Sequence, residues 1–281
     1  MDKTIPESWG LGLPELEKIY RVEVEQADKL RQATAAERKP LYSFVYQEYF
    51  QKLPFHPQLT IKQNQSAKQG RVDYQLQQIL PFIKGKQRFM EIGAGDCSLS
   101  IAASNYCREI VALEVSKEVA ENSNLPENVK LILFDGFNIP LEDSSVDVAY
   151  SNQLMEHLHP DDAAEQLKSI YRVLQKGGAY ICITPNRISG PHDISRFFID
   201  KPVGFHLKEY SAGDLRSLFM QVGFQQVIAY TILKGRKVEL PFFLVKMIEQ
   251  MAEGMSEKAK EKFLNFRPVQ IIFNAVIAAI K

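Results

Sequence analysis

Apolar residues in this chain follow two rhythms, and the change falls near residue 88. Before it they recur at helical intervals, as Leu13, Leu16, Ile19, Tyr20, Val24 and Leu30 with charges between them. Pro40 interrupts that pattern, an aromatic-rich run follows over 41–50, and Pro54 and Pro57 set a bend. A third helix is expected over about 69–83, with Val72, Leu76, Ile79 and Leu80 inward. Beyond Arg88 short apolar runs alternate with helical stretches. The runs 88–92, 109–113, 129–134, 146–150 and 179–184 read as strands, and 98–106, 116–121 and 161–174 read as helices, the last closed by Gly177-Gly178. After a polar excursion over 185–210 come a helix at 212–222, a strand at about 225–233, a helical stretch at 241–266 and a last strand near 275–280. Near-continuous apolar strands separated by helices imply a parallel sheet covered on both faces. The expected fold is α/β, doubly wound and mostly parallel. A helical extension or lid over 1–87 precedes the sheet-bearing domain of 88–281, which carries a helical insertion at about 241–267.

Each strand run ends in a polar residue or a glycine turn, and in such sheets ligands bind beyond the carboxyl ends of the strands. Gly93, Gly95, Glu114, Asp135 and Asn152 are therefore expected to converge on one crevice. Two glycines at the first turn let the backbone swing sharply and let a ligand touch the main chain. The helix after it offers unpaired N–H groups. Glu114 lies about 20 residues beyond the turn, where an acid binds both ribose hydroxyls. A carboxylate suits a diol because it offers two acceptors and no donor. Asp135 suits the exocyclic amine of adenine. Two ligand classes compete for this crevice. A dinucleotide wants a third glycine where Ser98 stands, and Asp96 beside the turn repels a pyrophosphate. The acidic surround of Glu91 and Asp96 suits the sulfonium and ammonium of S-adenosylmethionine. An NAD(P)-dependent oxidoreductase and a non-catalytic nucleoside-binding regulator are the alternatives.

Taken in order, EIGAGDCSLS, LEVS, LFDGFNIPLEDSSVDVAYSNQLMEHL and IYRVLQKGGAYICITPN resemble a class I S-adenosylmethionine-dependent methyltransferase. The nearest likeness is the type 11 group related to ubiquinone and menaquinone biosynthesis methyltransferases. The resemblance covers about 85–233. It implies a Rossmann-like sheet of seven strands with the last one reversed. It also implies S-adenosyl-L-methionine contacts from Glu91, Gly93, Ala94 and Gly95, from Glu114 at the ribose, from Asp135 and Gly136 at the adenine, and from Asn152. The segment from Asn152 to Glu156 would pass the methionine and methyl group. Cys97 stands where the family often has a third glycine.

All five histidines fall in predicted turns or loops. Methyl transfer needs a base only where the acceptor must lose a proton early. His157 is the first candidate base and His192 the second, and Glu156, Asn186, Arg187, His206 and Tyr46 are candidate acceptor contacts. Tyr42 and Tyr49 accompany Tyr46 on the aromatic run. The excursion at 185–210 exceeds the usual loop length, which favours a binding role. No metal site is expected, because His157, His159, His192 and Asp193 are spaced across loops without a ligand motif.

Composition narrows the partners. Lys+Arg and Asp+Glu each number 34, so formal net charge is zero and a broad electrostatic grip on nucleic acid is not expected. A small-molecule acceptor is expected instead, with the protein a monomer or homodimer. Three unevenly placed cysteines, Cys97, Cys107 and Cys182, read as reduced thiols. The N-terminal segment lacks the apolar centre of a signal peptide, and the apolar stretch at 269–280 is too short to span a bilayer. A cytoplasmic location without a membrane span is the expectation.

Overall fold

The computed structural model describes residues 9–60, 65–115 and 124–281. Its strands are β1 (Lys86–Ile92), β2 (Cys107–Glu114), β3 (Val129–Leu133), β4 (Val146–Asn152), β5 (Leu174–Ile183), β6 (Gln226–Leu233), β7 (Arg236–Leu240) and β8 (Val276–Ile280). They form one sheet in the order β3-β2-β1-β4-β5-β8-β6-β7. The pairs from β3 to β5 are parallel. β8 runs antiparallel between β5 and β6, and β7 is antiparallel to β6 at the edge. The strand order reverses at β1, which pairs with β2 on one side and β4 on the other, and this is where an open α/β sheet forms its crevice.

The resemblance implies seven strands, and the sheet has eight. The reversed strand is present as β8. The additional strand is β7, which turns back from β6 through Lys234 and Gly235 at φ 51° and 74°. Residues 236–239 are exposed, so no apolar run announces this strand.

The helices are α1 (Leu13–Gln32), α2 (Ala35–Lys52), the short α3 (Pro57–Thr60), α4 (Gln65–Ile83), α5 (Ser98–Ala103), α6 (Pro160–Val173), α7 (Ala212–Val222), α8 (Phe242–Glu253), α9 (Glu257–Leu264) and α10 (Arg267–Phe273). The helix expected at 116–121 lies outside the described residues. Pro40 does not break the helix but sits inside α2. The carbonyl it leaves unpaired, that of Ala36, belongs to an exposed residue, so water can satisfy it. Gly177-Gly178 do not close α6 either, because β5 begins at Leu174 and runs through them. A Cβ on Gly178 would stand 2.9 Å from the Gln175 carbonyl oxygen and 3.0 Å from that of Asp147, so backbone proximity requires the glycine.

Alternation along the strands divides the interior in two. Met90, Val111, Ala149 and Tyr180 face α6 and α7 through Leu167, Ile170, Leu215 and Phe219. Phe89, Ile110, Val148 and Ile181 face α4 and α5 through Ile79, Ile83, Leu99 and Ala103. The helices α1 and α2 pack elsewhere. Leu16, Ile19, Leu30, Val45 and Leu53 form a separate core with Ile194 and Phe205 from the 185–210 excursion. Each such buried Leu or Ile contributes about 1.5–3 kcal/mol. The helical pair is thereby held over the carboxyl edge of the sheet, next to the loops that follow β4 and β5.

Candidate active site

The β1 tip turns through Gly93 and Gly95 at φ 72° and 54°, and Cys97 follows at φ 58°. The position where the family often carries a third glycine thus keeps the left-handed backbone, with cysteine in it. Gly93 and Ala94 both donate to the Leu113 carbonyl (2.9 and 3.0 Å), which ties the turn to β2. A Cβ on Gly95 would meet no atom within 4 Å, so the main chain there borders open space. Glu114 spans the turn: Oε2 accepts from the Gly95 N–H at 2.8 Å and Oε1 from the Val115 N–H at 2.8 Å. Behind the turn Glu91 is buried and accepts from the Ser100 hydroxyl at 2.5 Å. Burial pushes its pKa up to about 8.

Asp96 is paired with Lys68 of α4 at 2.5 Å, so a cation that the sequence reading missed offsets part of the acidic surround. Burial alone would raise the Asp96 pKa, but its bonds to Lys68 and Ser98 outweigh this and hold it low. At the β3 tip Asp135 organises its own loop. Oδ1 accepts from the N–H groups of Phe137 and Asn138 at 2.8 and 2.7 Å, and Oδ2 accepts from the Asn138 amide at 2.6 Å. Gly136 lies at φ 87°, and its carbonyl accepts from Gln166 of α6 at 2.7 Å.

Asn152 ends β4, half-buried, and Gln153 follows at φ 53°. This aims Leu154 back over the glycine turn, where a Cβ on Gly93 would stand 3.6 Å from its Cδ1. Two residues on, Glu156 is fully buried, with Oε2 accepting from the Thr184 hydroxyl at 2.8 Å. Its neighbour His157 has Nδ1 3.1 Å from the Tyr46 hydroxyl and 3.2 Å from the Phe205 carbonyl. Burial pushes the His157 pKa down to about 3, so the ring is neutral and a weak proton acceptor at pH 7. The His206 ring packs edge-on against it at 5.0 Å and holds Glu209 through Nδ1 at 2.7 Å. Burial lowers the His206 pKa, but Glu209, Glu156 and Asp193 reverse the sign and raise it.

His157 and His206 open onto a cavity of about 650 Å³. Its walls mix Trp9, Tyr46, Phe50, Phe197 and Phe205 with polar Glu23, Arg71, His157, His192, Asp193 and His206. Glu23 reaches in from α1, accepts from the Phe205 N–H at 3.0 Å and from the Tyr49 hydroxyl at 3.1 Å, and is pushed by burial up to about 7. Arg71 lies on α4, the helix that carries Lys68 to the glycine turn.

The structure brings Tyr46, Glu156, His157, His192 and His206 to one place. His192 is anchored there by its Nε2, which contacts the Asn186 carbonyl at 3.0 Å and the Ser189 hydroxyl at 3.1 Å. Asn186 and Arg187 go elsewhere. The Asn186 amide donates to Glu249 of α8 at 2.8 Å. Arg187 reaches Asp214 at 2.9 Å and Glu253 at 2.6 Å. Their local spacing resembles that of a ligand loop, while their partners sit on α7 and α8. Glu23 and Glu209 escape the sequence, because nothing near them marks a binding role, and Asp193, weighed there only as a metal ligand, lines the cavity. Thr184 was read only as a strand end.

Residues 90–182 match the family model described as a methyltransferase domain. A Mycobacterium tuberculosis protein named as a probable S-adenosylmethionine-dependent methyltransferase is 29% identical over 151 residues, which is 53% of either chain. A Mycolicibacterium smegmatis protein of similar name is 39% identical over 88 residues, 31% of this chain and 32% of that one. The chain spans about half the length of the Mycobacterium tuberculosis relatives it matches. Among solved structures, a SAM-dependent methyltransferase of Archaeoglobus fulgidus superposes with a TM-score of 0.50 at 17% identity over 75% of this chain and 94% of that one. One of Thermotoga maritima gives 0.50 at 21% identity over 75% and 89%. The fold is that of these SAM-dependent methyltransferases, and the match to a methyltransferase domain falls on residues 90–182, from within β1 to the end of β5.

Proposed function

We propose that the protein is an S-adenosylmethionine-dependent methyltransferase whose acceptor is a small molecule held in the cavity under α1 and α2. The observation that carries this reading is the open face of the Gly93-Ala94-Gly95 turn beside the Glu114 carboxylate. A nucleoside can lie against bare main chain there, with Glu114 accepting from its ribose hydroxyls. Asp135 and Gly136 border the adenine side, and Asn152 with the buried Glu91 borders the methionine end. When bound, the cofactor supplies an electrophilic methyl group on a sulfonium.

Leu154 connects the two halves of the site, packing on Gly93 while His157, three residues on, lines the cavity. A volume near 650 Å³ suits a small organic acceptor and is walled by both rings and ionisable groups. Holding both reactants near attack distance supplies much of the rate of such a displacement. Tyr46 and Phe205, whose rings lie 4.4 Å apart, form part of that holding wall. His157, neutral and fixed through Nδ1, positions the acceptor more readily than it takes a proton, and His192 faces the cavity as the other candidate base.

Calorimetry with S-adenosylmethionine and with nicotinamide nucleotides tests the cofactor. Appearance of S-adenosylhomocysteine against a panel of hydroxyl, amine and carbon acceptors tests the reaction. Binding of the nicotinamide nucleotide alone would overturn the reading.

A further inference from the structure

The cluster at the cavity floor has features that acceptor binding does not require. Glu156 Oε1 is buried and has no hydrogen-bond partner among the described residues, while Oε2 is fixed by Thr184. An unpaired buried carboxylate oxygen is costly, and the structure retains it beside two imidazoles. One donor atom from each of Glu156, His157 and His206 lies within 4.8 Å of the other two. Both rings also have Nδ1 engaged by another group, which leaves Nε2 for a ligand. His206 commits Nδ1 to the Glu209 carboxylate at 2.7 Å, and His157 commits Nδ1 to the Phe205 carbonyl at 3.2 Å. A carbonyl can only accept, so that bond requires the proton on Nδ1, which leaves a lone pair on Nε2, and the Tyr46 hydroxyl at 3.1 Å can accept from the same N–H. A ligating histidine almost always donates its other N–H to a carboxylate or a backbone carbonyl, and both arrangements occur here.

We propose that Glu156, His157 and His206 form a binding site for one first-row divalent cation, with open coordination positions facing the cavity. Two imidazoles and one carboxylate favour Zn²⁺, Co²⁺ or Fe²⁺ over Mg²⁺ or Ca²⁺, which prefer all-oxygen shells. Bond lengths near 2.0–2.2 Å draw the three donors closer than they stand without a cation. Side-chain rotation on the 3-10 turn Met155–His157 and on the loop carrying His206 provides this movement. Glu209 and Thr184 serve as the outer groups that aim the ligands. The open positions take an oxygen of whatever occupies the cavity, so the site favours an acceptor bearing a hydroxyl or carboxylate. That last point rests on the methyl-transfer reading, whereas cation binding does not.

The test uses the full chain, stripped with a chelator, dialysed, and titrated with Co²⁺ under visible absorption and with Zn²⁺ under calorimetry. The expected result is one equivalent bound, with d–d bands and no thiolate charge-transfer band, because no cysteine belongs to the site. Glu156→Gln and His206→Asn should each weaken binding by more than tenfold, and Glu209→Gln by about tenfold. If a variant fails to fold, nitrogen-15 histidine spectra of the unaltered protein decide, since Zn²⁺ should shift Nε2 of His157 and His206. No stoichiometric uptake, unmoved Nε2 signals, or binding that survives both ligand variants would overturn the proposal. In the uptake-free case His206 serves only to hold Glu209 through Nδ1. Cofactor calorimetry on the stripped protein reports separately on methyl transfer, so either reading can fail while the other stands.

Discussion

Arg38 of α2 grips both carboxylate oxygens of Asp162 at the start of α6, Nε to Oδ2 at 2.6 Å and a terminal nitrogen to Oδ1 at 2.8 Å. Both side chains are buried, and Tyr42 adds a third bond to Asp162 at 2.8 Å while accepting from the His159 N–H at 2.8 Å. One ion pair therefore joins the helical cover to the segment that carries Glu156 and His157.

Removing one member of a buried pair strands the other. Arg38→Ala should cost about 3–5 kcal/mol in urea unfolding. The double variant Arg38→Met with Asp162→Leu should recover much of that loss, because it leaves no buried charge. A loss below about 1 kcal/mol in the single variant would show that the pair is solvated in solution.

At the glycine turn the prediction separates stability from binding. Gly95→Ala meets no neighbour, so its cost is the left-handed backbone alone, about 1 kcal/mol. The new methyl occupies the space assigned to the cofactor, and affinity for S-adenosylmethionine should fall at least about tenfold by calorimetry. Unchanged affinity would place the cofactor elsewhere.

Glu91 makes stability depend on pH. Its folded pKa of about 8 lies above the ordinary 4.5, so the native state holds the proton more tightly than the unfolded chain does. Stability is then greatest below about pH 4.5 as far as this group is concerned, and it is lost as pH rises through 8. Glu23, raised to about 7, adds a slope of the same sign. Glu91→Gln should flatten the decline between pH 5 and 8 by about 2–4 kcal/mol, read from urea midpoints at successive pH values. A steeper decline in the variant would contradict the sign.

Gly204 sits where a Cβ would collide with the Glu23 carboxylate and approach Asp193 Oδ2 at 2.8 Å. Neither side chain can swing away cheaply, since Glu23 is held by Phe205 and Tyr49, and Asp193 by Ser195 and Gly204. Gly204→Ala should destabilise by about 1–3 kcal/mol and weaken acceptor binding while leaving cofactor affinity unchanged. Equal loss of both affinities would mean that the cavity and the crevice do not behave as separate sites.

Much of this arrangement is legible in the sequence. The strands β1, β2, β4 and β5 appear as apolar runs because both their faces are largely buried, and the edge strand β3 keeps an apolar run although only its Val129 is buried. The bounds of α7 are readable from Ser211 and Asp214, which cap it reciprocally, and from Gly223 at φ 119°. The glycine turn and the acids at the strand tips lie at fixed local intervals, so they too can be read. What escapes is either solvent-facing or non-local. β7 has no apolar face to detect. The pairing of Glu23 with Phe205 spans |i−j| of 182 and that of Arg38 with Asp162 spans 124, and no local pattern encodes either. The grouping of Glu156-His157 with His206 is hidden for the same reason, since the two stretches meet only in the folded chain.

The apolar seam of α1 and α2 runs to Ile194 and Phe205 and not to the sheet. The cavity therefore has a foundation of its own, and substitutions can reshape its ceiling without disturbing the strands beneath the glycine turn. If the proposed function holds, a lineage carrying this architecture can change what it modifies while leaving untouched what it modifies it with.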